Sequence, residues 1–257
     1  MLPSLFVAHG SPMLAVEHSE YAKFLGELPL MFARPRAIAL FSAHWESPVQ
    51  EIGGDEKHGL LYDFYGFPEE MYRIAYPAAG DPALAREIEQ CFAAEGIGCR
   101  IGHNRGLDHG AWVILKRMFP EADVPVVPLS VNPRLTPEEQ YRTGAALSAL
   151  RELNVLIVAS GGTVHNLSKL DWSGRAAPRD WTAAFDRWLD EQMETWNLEA
   201  LFDYEARAPH AEWAVPTKEH FVPLIIAMGA ADPDRRAKLL HRSYQYGLLS
   251  LSCWRFG

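Results

Sequence analysis

The chain has 257 residues, of which 48% are hydrophobic and 22% are charged, and its formal net charge is −9. This composition is typical of a globular protein with a substantial core. The acidic balance argues against a surface that binds nucleic acid or an anionic membrane. No apolar stretch approaches the roughly 20 residues of a membrane helix, and the 3 cysteines form no CxxC pair, which indicates free thiols in a reducing compartment. We therefore expect a cytoplasmic protein, and its oligomeric state is left open.

The first half of the chain alternates strand and helix patterns. An apolar run of strand type ends at His9 and is broken at once by Gly10, Ser11 and Pro12. Asp81 followed by Pro82 is a typical helix start. In order, the predicted elements are strand 5–9, helix 19–28, strand 37–44, strand 49–52, an aromatic loop 62–68, helix 81–95, strand 98–101 and helix 111–119.

The second half continues the same alternation. Thr136, Pro137 and Glu139 form a capping box with proline at the first helical position. The predicted elements are strand 124–129, helix 136–153, strand 155–160, helix 179–196, helix 218–228 and strands within 243–256. Such alternation favours βαβ units, so we predict a single α/β domain over 1–257, with a largely parallel central sheet covered by helices on both faces.

Histidines recur where the predicted strands end. His9 and His44 close the first two long strands, and His165 follows the strand 155–160 after a Gly161-Gly162 turn. His220 lies in the first turns of the helix predicted from residue 218. Because ligands bind outside the carboxyl ends of strands in open α/β sheets, these four side chains are candidates for one metal site.

The spacing of these histidines restricts the type of metal site. There is no HExxH motif and no cysteine cluster, so neither a helical zincin site nor a closed structural zinc is expected. A site assembled from distant segments typically keeps open coordination positions and performs chemistry. Imidazole suits zinc, copper and non-haem iron alike, so the residue types do not select the metal.

Other catalytic motifs are weaker. The Gly161-Gly162-Thr163 turn lacks the glycine and lysine spacing of phosphate-binding loops. Ser11 has no recognisable base or oxyanion hole nearby in sequence, which disfavours serine hydrolysis.

Six segments together resemble the class III extradiol ring-cleaving dioxygenases, and most closely their DOPA 4,5-dioxygenase-like branch. They occur in the order of that family and extend over nearly the whole chain. They are Ala8–Pro12, Ser42–Trp45, Asp63–Pro68, Leu107–Trp112, Ala159–Leu167 and Pro216–Leu224.

This resemblance implies a central mixed sheet and one divalent metal per chain. By position it implies that His9, His44 and His220 are metal ligands, and that His165 is an active-site base or a fourth ligand. It also implies that His109 contacts the substrate or dioxygen. Fe²⁺ is the metal expected for activity, and Zn²⁺ is plausible in isolated protein because it outcompetes Fe²⁺ at such ligands.

The reaction implied is the opening of a catechol-type, DOPA-like ring by O₂, in the breakdown of an aromatic compound. Trp45, Phe67 and Trp112 are candidates for the walls of a slot for that ring. Two other readings of the same histidines remain: a zinc-dependent hydrolase, and a metal-binding protein without catalytic activity.

Overall fold

The computed structural model describes residues 1–173 and 177–257. Within these residues eight strands form one sheet, in the order β4-β3-β5-β2-β6-β1-β8-β7. The strands are β1 (Ser4–Ala8), β2 (Ala37–Glu46), β3 (Gln50–Gly53), β4 (Cys99–Gly102), β5 (Val126–Val131), β6 (Val155–Gly161), β7 (Ala237–Gln245) and β8 (Leu249–Phe256).

Helices cover both faces of this sheet. They are α1 (Glu20–Glu27), α2 (Pro82–Ala94), α3 (His109–Met118), α4 (Pro137–Ala145), α5 (Asp180–Glu194), α6 (Leu198–Phe202), α7 (Tyr204–Arg207), α8 (Ala211–Ala214) and α9 (Val222–Gly229). Helices α1 and α3 pack on one face, and α2, α4 and α5 to α9 pack on the other. In the part of the chain that the structure describes, no helix is both long and apolar enough to cross a lipid bilayer.

The four central strands are parallel and buried on both sides. Strands β5, β2, β6 and β1 run in the same direction, whereas β3 pairs antiparallel with β5 and β8 pairs antiparallel with β1. Every residue of β1, β5 and β6 is buried, and alternate side chains enter the two cores, as Phe6 and Leu5 do. Continuous apolar runs are required in strands covered on both faces. The predicted single-domain α/β fold with a mixed, largely parallel sheet is confirmed.

Three neighbouring strands, β2, β6 and β1, bring their carboxyl ends to one edge of the sheet. Strand β2 extends to Glu46, beyond its predicted end at His44. Its register with β5 shifts between Phe41 and Glu46. Such irregularities redirect side chains and are frequent beside active sites, and here the irregular stretch contains His44.

Two predicted helices differ from the observed ones. The helix predicted to reach residue 153 ends at Ala145, because the chain tightens at Leu147, whose N–H bonds to Gly144 three residues earlier. A 3₁₀ turn at Ser148–Arg151 follows. The helix predicted from residue 218 begins only at Val222. The carbonyl of His220 accepts a bond from Gly162 rather than joining the helix, so the prediction that His220 is helical is wrong.

Candidate metal centre

The chain delivers three histidines to the edge formed by β2, β6 and β1. His9 directly follows β1, and its N–H donates to the carbonyl of Gly161 at the end of β6. His44 lies in the irregular end of β2. His220 lies in the turn before α9, where its carbonyl accepts the N–H of Gly162 at 2.8 Å. A side chain on Gly161 would meet that carbonyl at 2.2 Å, so glycine is needed for this close approach.

The rings of His9, His44 and His220 converge. One ring nitrogen from each lies within 4.8 Å of the other two, and the Nε2 atoms of His9 and His44 are 3.0 Å apart. Nε2 of His220 is buried and has no hydrogen-bond partner among the residues that the structure describes. A buried polar atom without a partner is costly. A cation at the centre of the three rings would satisfy all three nitrogens, so these residues fit a metal ion.

The outward ring nitrogens of these histidines have polar neighbours. Ser160 donates its hydroxyl to Gly110 at 2.5 Å, so it accepts from Nδ1 of His9 at 3.0 Å. Nδ1 of His220 lies 2.9 Å from Glu219 Oε1, and Nδ1 of His44 lies 3.7 Å from Asp63 Oδ2. A proton on Nδ1 leaves the lone pair on Nε2 directed at the centre, which is the usual arrangement of metal-binding histidines.

Burial keeps His9 and His44 of this centre uncharged at neutral pH by lowering their pKa values. Burial and the neighbouring His44 hold the pKa of His9 well below its ordinary value. Burial and the neighbouring His109 lower the pKa of His44 to about 2. Burial opposes ionisation of Glu219, but its hydrogen bonds with His220, with Thr217 and with its own backbone, together with the attraction of His220, outweigh this and lower the pKa of Glu219 to about 2. Neutral imidazoles backed by an ionised carboxylate are ready to bind a cation at neutral pH.

His165 lies beside this centre and outside the converging set of three. Its N–H bonds to the carbonyl of Ala214 at 2.9 Å. Its ring stacks on His220, with ring centres 3.5 Å apart and an angle of 7° between the planes. Burial and His220 lower the pKa of His165 to about 3. His165, Glu219 and His220 form a second group of potential ligands.

His109 approaches the centre from the first turn of α3. The side chain of Asp108 caps this helix, accepting from Ala111, and the ring of His109 lies 4.0 Å from that of His44. Asp63 Oδ1 accepts the His109 backbone N–H at 2.9 Å and lies 3.0 Å from Nδ1 of the ring. His44, Asp63 and His109 form a third group of potential ligands.

The three aromatic residues predicted to line a substrate slot, Trp45, Phe67 and Trp112, lie in different surroundings. Trp112 is fully buried and donates its indole N–H to Leu61, so it belongs to the core and the prediction for it is wrong. Phe67 packs against Phe64, whose ring meets that of His109 edge-on at 5.8 Å. The guanidinium of Arg105 lies 4.5 Å from the centre of the Trp45 ring. Phe64, not Trp112, is the aromatic residue beside the histidines.

Sequence comparison decides the class of protein. Residues 5–257 match the family model described as the catalytic LigB subunit of aromatic ring-opening dioxygenase. This chain belongs to that family. It is a ring-cleaving dioxygenase, and the family pairs an aromatic substrate with O₂ and a metal ion.

Full-length relatives agree with this assignment. The chain is 38% identical to "4,5-DOPA dioxygenase extradiol" of Beta vulgaris, over 98% of this chain and 96% of the relative. It is 33% identical to the protein of the same name in Escherichia coli K12, over 100% of this chain and 95% of the relative. A solved structure of an uncharacterised Escherichia coli K12 protein superposes with a TM-score of 0.87 at 31% identity, covering all of both chains.

Sequence reasoning missed side chains that contact the predicted histidines, including Glu219 beside His220 and, from distant positions in the chain, Ser160 and Asp63. Ser160 and Asp63 lie within segments recognised as family-like, but neither was given a role. Their contacts, from Ser160 to His9 and from Asp63 to His44 and His109, join distant positions in the chain. Of these two residues, only Asp63 has a sequence feature that indicates a functional role. It lies in a turn-rich loop, and binding and catalytic residues are frequent in loops.

Proposed function

We propose that this enzyme opens the ring of a catechol-type, DOPA-like substrate next to one of its two adjacent hydroxyls. Supporting this are the relatives of nearly equal length that are named as DOPA extradiol dioxygenases. The observation that carries the proposal is the set of three imidazoles, buried for His9 and His220 and half-buried for His44, whose ring nitrogens converge without a partner for His220 Nε2 among the described residues.

His9, His44 and His220 are the proposed metal ligands, and Fe²⁺ is the proposed metal. Three imidazoles leave coordination positions free, as in catalytic sites. When bound, a ferrous ion supplies Lewis acidity toward the two hydroxyls and the redox capacity that O₂ chemistry requires. Ser160, Glu219 and Asp63 orient the three rings through their outward nitrogens.

His165 is the proposed base. Its low pKa means that the ring is neutral at neutral pH and holds a free lone pair. A ring nitrogen of His165 takes the proton of a substrate hydroxyl, leaving the electron pair on the substrate oxygen. The stacked ring of His220 and the Ala214 carbonyl fix the position of His165. The alternative is that His165 is a fourth metal ligand, in which case His165→Ala would lose metal as His220→Ala does.

His109, whose ring lies 4.0 Å from that of His44, is proposed to contact the reacting groups. Its backbone is fixed at the start of α3 and its ring is held between Asp63, Phe64 and His44. Phe64 supplies an apolar surface beside His109, which favours an aromatic substrate over a polar one.

Anaerobic loading with Fe²⁺, followed by a catechol and then air, tests this function. We expect consumption of O₂ and a yellow ring-opened product from the ferrous enzyme, and none from the zinc-loaded enzyme. His103→Ala is the control variant, because His103 is 59% exposed and is not among the clustered histidines. Hydrolysis of an ester or amide by the zinc-loaded enzyme, without ring opening by the ferrous one, would refute the proposal.

A further inference from the structure

Asp63 occupies a fixed position between two parts of the site. It lies in the aromatic segment 62–67, and its neighbours are anchored on both sides. Tyr62 packs against Trp112, and Phe64 packs against His109 and Trp112. The Asp63 side chain is 29% exposed, so it lies at the boundary between the site and solvent.

The two carboxylate oxygens of Asp63 contact two different histidines. Oδ1 accepts the backbone N–H of His109 at 2.9 Å and lies 3.0 Å from its Nδ1, while Oδ2 lies 3.7 Å from Nδ1 of His44. Among the described residues Nδ1 of His109 has no hydrogen-bond partner, so its contact with Asp63 is electrostatic. One carboxylate thus connects a residue of β2 with a residue of α3.

A carboxylate at these distances restricts the proton positions on both rings. Facing an Nδ1 lone pair it would be repelled, whereas facing an Nδ1–H it is attracted. In the neutral form of each ring, the carboxylate therefore favours the proton on Nδ1 and the lone pair on Nε2. In His44, Nε2 is the atom that lies 3.0 Å from Nε2 of His9.

We infer that Asp63 is a positioning residue that fixes the ring orientation and Nδ1–H tautomer of His44 and His109 together. This inference rests on the proposed function in taking His44 as a metal ligand and His109 as a substrate contact. Through His44 it strengthens metal binding, and through His109 it supports turnover. Replacing a residue that orients a metal-binding histidine typically costs about 10–100-fold in metal affinity or activity.

Asp63→Asn is the informative variant. The asparagine side chain keeps its size and an oxygen that accepts the His109 N–H, but it loses the charge and turns an N–H₂ donor toward one ring. Asp55→Asn is a matched control. Asp55 also accepts a backbone N–H, that of Asn104, and lies 3.4 Å from Nδ1 of His103, but it is outside the histidine cluster.

Three measurements test the inference: Zn²⁺ affinity by competition with a chromophoric chelator, nitrogen-15 NMR of the imidazoles in metal-free protein, and kcat and KM for a catechol with the ferrous enzyme. For Asp63→Asn we expect Zn²⁺ affinity lower by about 10–100-fold and a lower kcat with little change in KM. The Nδ1–H signals of His44 and His109 should be lost, while that of His220 remains. Asp55→Asn should match the wild type throughout.

Wild-type Zn²⁺ affinity in Asp63→Asn, or unchanged kcat, would overturn the inference. So would an Nε2–H tautomer for His44 or His109 in the wild-type protein, a result that needs no variant to fold. The melting temperature of the metal-free variants shows whether a loss of affinity is only a loss of fold. If the wild-type enzyme has the expected tautomers and opens no catechol, the proposed function fails and the tautomer assignment for Asp63 stands.

Discussion

Two largely buried polar clusters lie close together in this protein. They differ in whether their hydrogen-bond acceptors are paired with protein donors. In the first, which we call the Asp186 network, Asp186 accepts from the hydroxyls of Tyr244 and Ser250 at 2.8 Å and of Thr163 at 3.1 Å. Arg242 Nε lies 3.5 Å from the same carboxylate. The second, the histidine cluster, comprises His9, His44, His109, His165 and His220. There, two Nε2 atoms face each other and a third has no partner among the described residues.

The difference shows how a structural polar cluster is distinguished from a ligand site. Both clusters are buried, and burial shifts pKa values in both, raising that of Asp186 and lowering that of His44. The carboxylate of Asp186 accepts from three protein hydroxyls. The Nε of Arg242 in that network has no hydrogen-bond partner among the described residues, but it is a donor, which a cation cannot satisfy. The histidine cluster has acceptor lone pairs that only a proton or a cation can satisfy.

The largest expected effect comes from removing a converging imidazole. In His220→Ala two of the three proposed ligands remain, which is too few donors to hold the ion. We expect the variant to lose most of its metal after ferrous loading and its turnover to fall to background. Elemental analysis beside a catechol assay measures both, with His103→Ala as control. Full metal content in His220→Ala would remove His220 from the ligand set.

Replacing His165 separates its proposed role as a base from the ligand role of His220. His165→Ala is expected to keep most of its metal and to lose turnover by about 10²–10⁴-fold, the usual effect of losing a general base. The same elemental analysis and assay apply. If His165→Ala is as poor in metal as His220→Ala, then His165 is a fourth ligand and His109 becomes the next candidate for the base.

Replacing Asp186 tests whether the Asp186 network stabilises the fold without taking part in metal binding. Asp186→Ala leaves three buried hydroxyls without their acceptor and removes a partner of Arg242, so we expect a loss of about 3–5 kcal/mol in the free energy of unfolding. Urea denaturation measures this loss. Metal bound per folded molecule should remain at the wild-type level. A variant of normal stability that lacks metal would contradict the division into a structural and a ligand-binding cluster.

A change of pH is expected to have a smaller effect on the free energy of unfolding. Unfolded histidines bind protons near pH 6.5, whereas the pKa values of folded His44 and His165 lie at about 2 and about 3. Below about pH 6.5 the unfolded state therefore binds more protons, and stability falls as pH falls, by up to about 1.4 kcal/mol per pH unit for each histidine. The lowered pKa values of Asp63 and Glu219 contribute only below about pH 4.5.

The window between about pH 7 and pH 5 thus isolates the histidines. Urea midpoints of metal-free protein across this window measure the slope, and His165→Gln should reduce it. Stability that does not change with pH in this window would mean that the histidines titrate alike in the folded and unfolded states.

The sequence predicted the edge of the sheet where the site lies, because that prediction needs only local information. Apolar runs ending at His9 and near His44 and Gly161 identify buried strands and their carboxyl ends. The position of His220 in a turn was not predictable in this way, since the carbonyl that would extend α9 is bonded instead to Gly162, in a distant segment. The contact between Ser160 and His9 likewise exists only because β6 and β1 are neighbours.

A crystal structure of the zinc-loaded protein, with anomalous scattering from zinc, tests the central claim most directly. The metal could lie in any of three groups: His9, His44 and His220; His44, Asp63 and His109; or His165, Glu219 and His220. We predict a single peak at roughly 2.0–2.1 Å from the Nε2 atoms of His9, His44 and His220. A peak within either of the other two groups, with His9 left unbound, would contradict the account.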